Sequence, residues 1–397
     1  MRPGPDILRQ SPKDPGFVQD PYPLYAEVLT GDPVRYWEDY GMIAVFDARG
    51  VQSLLRDRRL GRAIPPDQKW PTPDHLRDFA AVEDLSMLDL EPPAHTRLRG
   101  LVLRAFTTRR IQSLAPDIAA VAHELIASFP QSPFDLLPAY CSLLPVRIIA
   151  RLLGVPEAMA PDLLRWSNAM VAMYQANRSR DTEDAANSAA RDFATFLGDH
   201  IDARRATPGD DLISTLIRAQ DETGALSRQE MISTCVLLLN AGHEATVHTL
   251  GNAVKTLLEH NTPLRDLRAP DIVNTVEEVL LYDPPLHLFT RYAYKDLFIG
   301  RHLLQKGEQV ALVLGSAGRD PALCPVPQQF DPRRSPVSHS AFGGGLHFCL
   351  GAPLARLELQ IGLSMLFEHT PHLKHAGPFR YADSYHFHGL SELLVTT

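Results

Sequence analysis

Apolar positions recur at helical spacing over most of the chain. After Pro116, which suits the first turn of a helix, Ile118, Val121, Ala122, Leu125, Ile126 and Phe129 fall on one face. Similar amphipathic stretches cover about 140–153, 160–175 and 184–203. The best-marked helix opens at Ser227, where Ser-Arg-Gln-Glu carries the two partners of a capping box, and nothing stops it before about Asn261. At ~1.5 Å per residue it would cross roughly 50 Å, and its segment CVLLLNAG is apolar on most sides, which places it in the interior. A further helix is expected to start close to Ala352-Pro353.

Strand patterns are short and few. VRYWEDYGMIAVF, after Asp32-Pro33, sets two β-branched and aromatic runs around Glu38 to Gly41, the pattern of a hairpin. After Asp283-Pro284-Pro285, brief runs of Leu, Phe, Tyr and Val alternate with Gly and Pro turns. Between Pro65 and Pro93 the chain is rich in Pro and Asp without periodicity and reads as a long loop lining a binding site. The expected fold is mainly α with minor β sheets, without the βαβ alternation of a doubly wound sheet. The 397 residues would allow two or three domains, but the 33 prolines are scattered and mark no linker.

Composition narrows the function. Hydrophobic residues at 45% and charged residues at 22% exclude a disordered chain. A net charge of −8 argues against a general binder of nucleic acid or anionic membrane, which needs excess positive charge. Four cysteines are too few for a disulfide scaffold and suit a reducing compartment. The amino terminus lacks a secretory pattern, and the apolar stretch from Cys141 to Val155 is interrupted by Arg147 and Arg151. A soluble, cytoplasmic, monomeric protein is the expectation.

One cysteine stands apart. In FGGGLHFCLGAPLARLELQ, Phe342 to Gln360, a glycine-rich loop leads through Cys349 into a helix. Glycines let backbone N–H groups approach the sulfur, and the positive helix end lowers a thiol pKa, so Cys349 is expected to be an anionic iron ligand. Cys141, Cys235 and Cys324 have no such loop.

Phe342, Gly343, Gly345, His347, Cys349 and Gly351 match F-G-x-G-x-H-x-C-x-G, and the chain thereby resembles the cytochrome P450 family. The resemblance implies one domain over 1–397, with one small β-rich part made by 30–50 and 286–312, and heme b held between the long helix and the Cys349 loop. It implies propionate ligands at His95 and Arg99 of HTRLR, at Arg291 and at His347, since carboxylates call for charged donors. Ala241 and Gly242 of AGHEAT would border the heme, with Glu244 and Thr246 as the catalytic acid and alcohol. The implied reaction inserts one atom of dioxygen into a small, largely apolar molecule, with electrons from a separate ferredoxin and its reductase. A peroxide-driven oxygenase and a non-catalytic heme sensor or carrier are the alternatives. Substrate contacts are expected from Met87, Leu88, Val171, Leu237, Ala241, Leu288, Phe289, Phe387 and His388, and a basic docking patch from Arg99, Arg104, Arg109 and Arg110.

Three positions depart from the family pattern. Ala245 stands where the alcohol usually follows the acid, and Thr246 comes one residue late, about 100° around the helix. Leu281 replaces the Arg of E-x-x-R after Glu278, leaving Arg334 as the expected partner of that acid. Gly318 opens Gly-Arg-Asp-Pro where Asn is usual, which reads as a mild change.

Overall fold

Ser227 and Glu230 cap each other reciprocally, and the helix they start runs from Arg228 to Glu259. Most of its turns are buried, so the other helices gather around it: Leu143–Leu153, Ala160–Val171, Arg180–Ala206 and the last helix, Ala352–His369, all pack on it. The computed structural model describes residues 6–174, 178–384 and 387–397. Helix Ala115–Ala127 buries Ile118, Val121, Ala122 and Leu125, the face its periodicity gives.

The hairpin forms as Val34–Trp37 against Met42–Val45, with a single turn of helix at Glu38–Tyr40 and Gly41 at φ +65°, a conformation glycine reaches without strain. Its second strand pairs in parallel with Gln309–Val313, which pairs antiparallel with Leu288–Ala293. The two stretches expected to form one small β-rich part therefore meet in one six-stranded sheet, with Leu297–Ile299 and His302–Leu304 as a separate two-stranded sheet. Between Pro65 and Pro93 the expected bare loop is broken by a helix at Arg77–Glu83, whose Val82 enters the main core. Packing against helix Arg180–Ala206 supplies what the local sequence lacks.

Two of the unusual positions touch. A Cβ added at Gly318 would stand 2.4 Å from the Leu281 carbonyl oxygen, because the helical turn Leu314–Gly318 lies directly on the end of helix Ile272–Tyr282. The change from Asn is thus not mild. Gly318→Asn is expected to destabilise the fold by about 1–3 kcal/mol, since backbone and not a movable side chain stands in the way. Urea unfolding checks this, and an unchanged midpoint would mean that the two segments separate freely.

Candidate active site

The Cys349 loop is a backbone construction. Gly343 and Gly345 sit at φ +69° and +66°, and a Cβ on Gly345 would lie 2.3 Å from the Leu55 carbonyl oxygen. The Cys349 N–H donates to the Phe342 carbonyl at 2.9 Å, which folds the loop back on itself. Pro353 then occupies the first turn of Ala352–His369. The sulfur accepts from the N–H groups of Gly351 and Ala352. The thiol is nevertheless not lowered as expected: burial pushes it up, and these N–H groups with Arg99 and Arg356 offset only part of that. A bound cationic metal reverses such a balance.

Beside the loop lies a buried set of donors short of acceptors. His95 and His347 have ring centroids 4.5 Å apart, and His347 Nε2 is 3.2 Å from Glu91 Oε1. Among the described residues, buried His95 Nδ1 finds no hydrogen-bond partner. Burial, then the charges of His347 and Arg99, hold the His95 imidazole down to about 4. Arg291 is 3% exposed, and among the described residues its guanidinium hydrogen bonds only to the Thr290 carbonyl, at 2.8 Å. Burial and the neighbouring Arg62 push it down to about 9. An orphaned imidazole and an unmatched guanidinium next to a cysteine loop fit a ligand with an electrophilic centre and carboxylates of its own. Heme has that donor requirement. Arg99 donates to the Phe348 carbonyl at 2.7 Å and so braces the loop as well.

On the central helix, Ala241 is exposed and Leu237, Glu244, Ala245 and His248 are half-buried; at 100° per residue they all lie within roughly 60° of Ala241. This stripe is the least covered part of a helix that is otherwise mostly buried. Glu244 sits between His243 Nε2 and His248 Nε2, each 3.6 Å from a carboxylate oxygen. Burial raises its pKa, but the His248 hydrogen bond and the two imidazoles outweigh that and hold it below the usual carboxylate range. Two expected residues are placed elsewhere. A Cβ on Gly242 would meet Ile149 Cγ1 at 2.9 Å, so its bareness serves the close packing of two helices. Thr246 is buried and lies about 140° from Ala241, off the exposed stripe.

The cytochrome P450 family model matches residues 270–373. The chain is 36% identical over 395 residues to the vitamin D(3) 25-hydroxylase of Pseudonocardia autotrophica, covering 96% of this chain and 94% of that one. It is 34% identical over 363 residues to the mycinamicin IV hydroxylase/epoxidase of Micromonospora griseorubida, covering 88% of each. Its structure superposes with a TM-score of 0.89 on P450BioI in complex with hexadec-9Z-enoic acid ligated acyl carrier protein, at 33% identity over 96% of this chain and 99% of that one. The chain belongs to the cytochrome P450 family.

As a P450 it is an oxidoreductase of the monooxygenase type that binds heme b. No helix among the described residues is long and apolar enough to cross a membrane. Glu278 pairs with Arg334 at 3.1 Å and accepts the Asp331 N–H at 2.9 Å. The position of Leu281 is buried and apolar, and the neighbouring Glu277 carries a tie that sequence reading missed: it accepts from Arg356 Nε at 2.5 Å and lies 3.1 Å from His339 Nε2. Burial opposes its charge, but His339 and Arg356 prevail and bring it down to about 2. This cluster joins helix Ile272–Tyr282 to the last helix and to the approach to the Cys349 loop.

The expected substrate residues do not form one set. Leu288, Phe387 and His388 line a cavity of about 830 Å³ that also takes in Tyr25, Trp37 and Tyr174. Phe289 points to the opposite face of the strand, by the period of two, and lies under the guanidinium groups of Arg291 and Arg62 at 5.5 and 5.9 Å. It belongs to the cationic pocket instead. Met87 is core, while Leu88 and Val171 are half-buried. His388 lines the cavity and is also tied into a polar cluster, stacking on Tyr381 at 3.7 Å and lying 3.5 Å from Asp283. Arg110 is drawn away from Arg104 and Arg109 by Thr215 and Asp210.

Sequence reading also missed Glu83, whose carboxylate accepts the Tyr174 hydroxyl at 3.0 Å and ties the Pro-rich segment to this cavity's wall. Burial first, with help from Asp89 and Asp84, pushes Glu83 up to about 7 against the opposing Tyr174 bond. A carboxyl raised in the folded state favours folding most when protonated, so stability falls as pH rises from the ordinary carboxylate value towards 7. Glu83→Gln is expected to remove that fall, worth at most roughly 3 kcal/mol at pH 8. Urea titrations at pH 5 and pH 8 read it directly; equal pH slopes for the two proteins would show that Glu83 is solvated.

Proposed function

We propose that the chain is a heme-thiolate monooxygenase that hydroxylates or epoxidises a largely apolar organic molecule, fed with electrons by a separate acidic ferredoxin. Glu244 carries this reading: an ionised carboxylate held between two imidazoles on the exposed stripe of a central helix has no part in packing and suits proton delivery. When bound, heme supplies an iron centre that reduces dioxygen and passes one oxygen atom to the substrate.

The chain's own residues do the rest. Cys349 holds the iron, with its sulfur braced by the Gly351 and Ala352 N–H groups. His95, Arg291, His347 and Arg99 hold the propionates. Glu244 delivers protons, while Thr246, turned off the stripe, takes no part; an ordered water or a hydroxyl of the substrate fills the place left by Ala245. Substrate enters the cavity of about 830 Å³, a size that holds a drug-sized molecule. The relatives named as acting on vitamin D(3) and mycinamicin IV support a bulky ligand of this kind. Exposed Arg104 and Arg109, with Arg99 behind them and Leu103, Leu346 and Phe348 also exposed, suit an acidic partner.

The test is an optical titration of the ferric protein with fatty acids, macrolactones and sterols. A thiolate-type spectrum that shifts from low to high spin with one class supports the reading and names the class. A spectrum without thiolate character sinks it. Ala245 favours one second reading, a peroxide-driven oxygenase, which predicts turnover with peroxide and none with reduced ferredoxin.

A further inference from the structure

Asp283 ends helix Ile272–Tyr282, His287 leads into strand Leu288–Ala293, and His388 lies in the turn between strands Arg380–Tyr381 and Leu390–Glu392. All three are buried, and one ligand atom from each, an imidazole nitrogen or a carboxylate oxygen, lies within 4.8 Å of the other two. Backbone contacts fix this meeting. Leu286 bridges to Phe387, and the His388 N–H donates to the Pro285 carbonyl at 2.8 Å. Asn252, on the central helix, donates to the carbonyls of His388 and Asp283 at 2.8 and 3.4 Å.

The surrounding side chains orient the three without neutralising them. Asp283 Oδ1 accepts the Tyr22 hydroxyl at 2.6 Å and Oδ2 the Tyr381 hydroxyl at 2.7 Å, so both oxygens act as acceptors and the group is a carboxylate. Among the described residues no Lys or Arg pairs with it; its one ionic neighbour is His388 Nε2, at 3.5 Å. Arg319 comes near, but its guanidinium lies over the rings of Tyr22 and Tyr282 at 4.0 and 3.5 Å and donates to the Tyr282 carbonyl. A buried carboxylate held by neutral phenols lacks the cation that offsets its desolvation. The 3.5 Å gap is long for a charge-assisted hydrogen bond, yet it is close to the ~3.4 Å between two ligands of a tetrahedral ion with bonds of about 2.1 Å. On His287, the Tyr25 hydroxyl stands 3.2 Å from Nδ1, while Nε2 faces the Tyr22 hydroxyl at 3.4 Å.

We propose that Asp283, His287 and His388 bind a divalent ion of the zinc class, which fastens this late turn to the end of helix Ile272–Tyr282. The site shares no residue with the Cys349 loop and does not depend on the monooxygenase reading. Two imidazoles and a carboxylate suit zinc, whereas magnesium and calcium take oxygen ligands, and a water completes the four-fold set. Tyr25 on His287, and Tyr22 and Tyr381 on Asp283, are the outer hydrogen bonds that such ligands need to hold their orientation. The ion has a way in: Asp283 and His388 line a second cavity of about 690 Å³, rimmed by the exposed Asp20, Glu259 and Arg380. His287, His388 and Phe387 also line the cavity of about 830 Å³, so the ion would stiffen one wall of the substrate site.

The experiment uses the holoenzyme, stripped with EDTA, loaded with zinc chloride and passed through a desalting column. Wild type is expected to keep one zinc per chain, to show nitrogen and oxygen neighbours at the zinc X-ray absorption edge, and to gain in urea midpoint. Asp283→Asn and His388→Phe, the latter keeping a ring to stack on Tyr381, are expected to bind zinc at least ten-fold more weakly and to lose that gain. Tyr25→Phe is expected to weaken binding by roughly ten- to a hundred-fold, as the loss of an outer hydrogen bond does. Wild type that keeps no zinc overturns the site, as do equal zinc contents in wild type and both ligand variants, which assign the ion to surface histidines. A sulfur neighbour in the absorption spectrum overturns it even if a variant fails to fold. An equal gain in midpoint with magnesium chloride overturns the zinc-class assignment.

Discussion

Arg291→Met is expected to weaken heme binding by on the order of ten- to a hundred-fold, the value of one charge-assisted hydrogen bond, while leaving the heme-free protein as stable as before or more so. The second half of that expectation is the informative one. Arg291 is buried on strand Leu288–Ala293, bonded to one carbonyl and repelled by Arg62, so in the empty protein its charge is a burden. Replacing a poorly matched buried charge with an apolar side chain of similar length is neutral or stabilising by up to about 4 kcal/mol. Urea unfolding of the heme-free proteins and heme transfer to an acceptor protein measure the two effects separately. If both fall together, Arg291 is a structural residue and its role as a propionate ligand is lost.

Arg334→Ala is expected to destabilise the protein by about 3–5 kcal/mol, because it strips a buried carboxylate of its partner. Among the described residues Glu278 has no second arginine, since Leu281 occupies that position, and Arg334 also donates to the carbonyls of Pro325 at 2.5 Å and Gln329 at 2.7 Å. Both the helix and the loop lose their tie at once. The double variant Glu278→Gln, Arg334→Ala separates the causes, since it leaves no orphan charge. Recovery of at least half the loss in the double variant confirms the pairing; equal losses would assign the effect to the loop carbonyls alone.

Long elements were legible in the sequence because their signals are local. The capping box at Ser227 and the apolar period after Pro116 each specify a helix within a few residues, and the hairpin around Gly41 is set by its turn. The helix Arg77–Glu83 was not, since its stability comes from a neighbour far along the chain. The Cys349 loop could be read because its glycines, histidine and cysteine fall within one short stretch, Phe342 to Gly351. The rest of the site could not. Gly242 serves Ile149, Phe289 lies with Arg291, and Thr246 is turned away, and each depends on which face of an element meets a distant partner. Likewise Glu277, Glu83 and His248 carry no motif; their partners are 62, 91 and, for the His248–Phe387 contact, more than a hundred positions away.

The contact between Gly318 and the Leu281 carbonyl also limits how this corner of the fold can be varied. Because the two segments have closed to a spacing that leaves no room for a Cβ, a side chain at 318 is admitted only where the backbone gives way. The two positions are coupled: the side chain at 281 can be varied with Gly318 in place, whereas a larger residue at 318 also displaces the backbone at 281. A change meant to tighten this corner is better placed at the tie between Glu277 and Arg356, which is made by side chains that can be varied without moving the backbone.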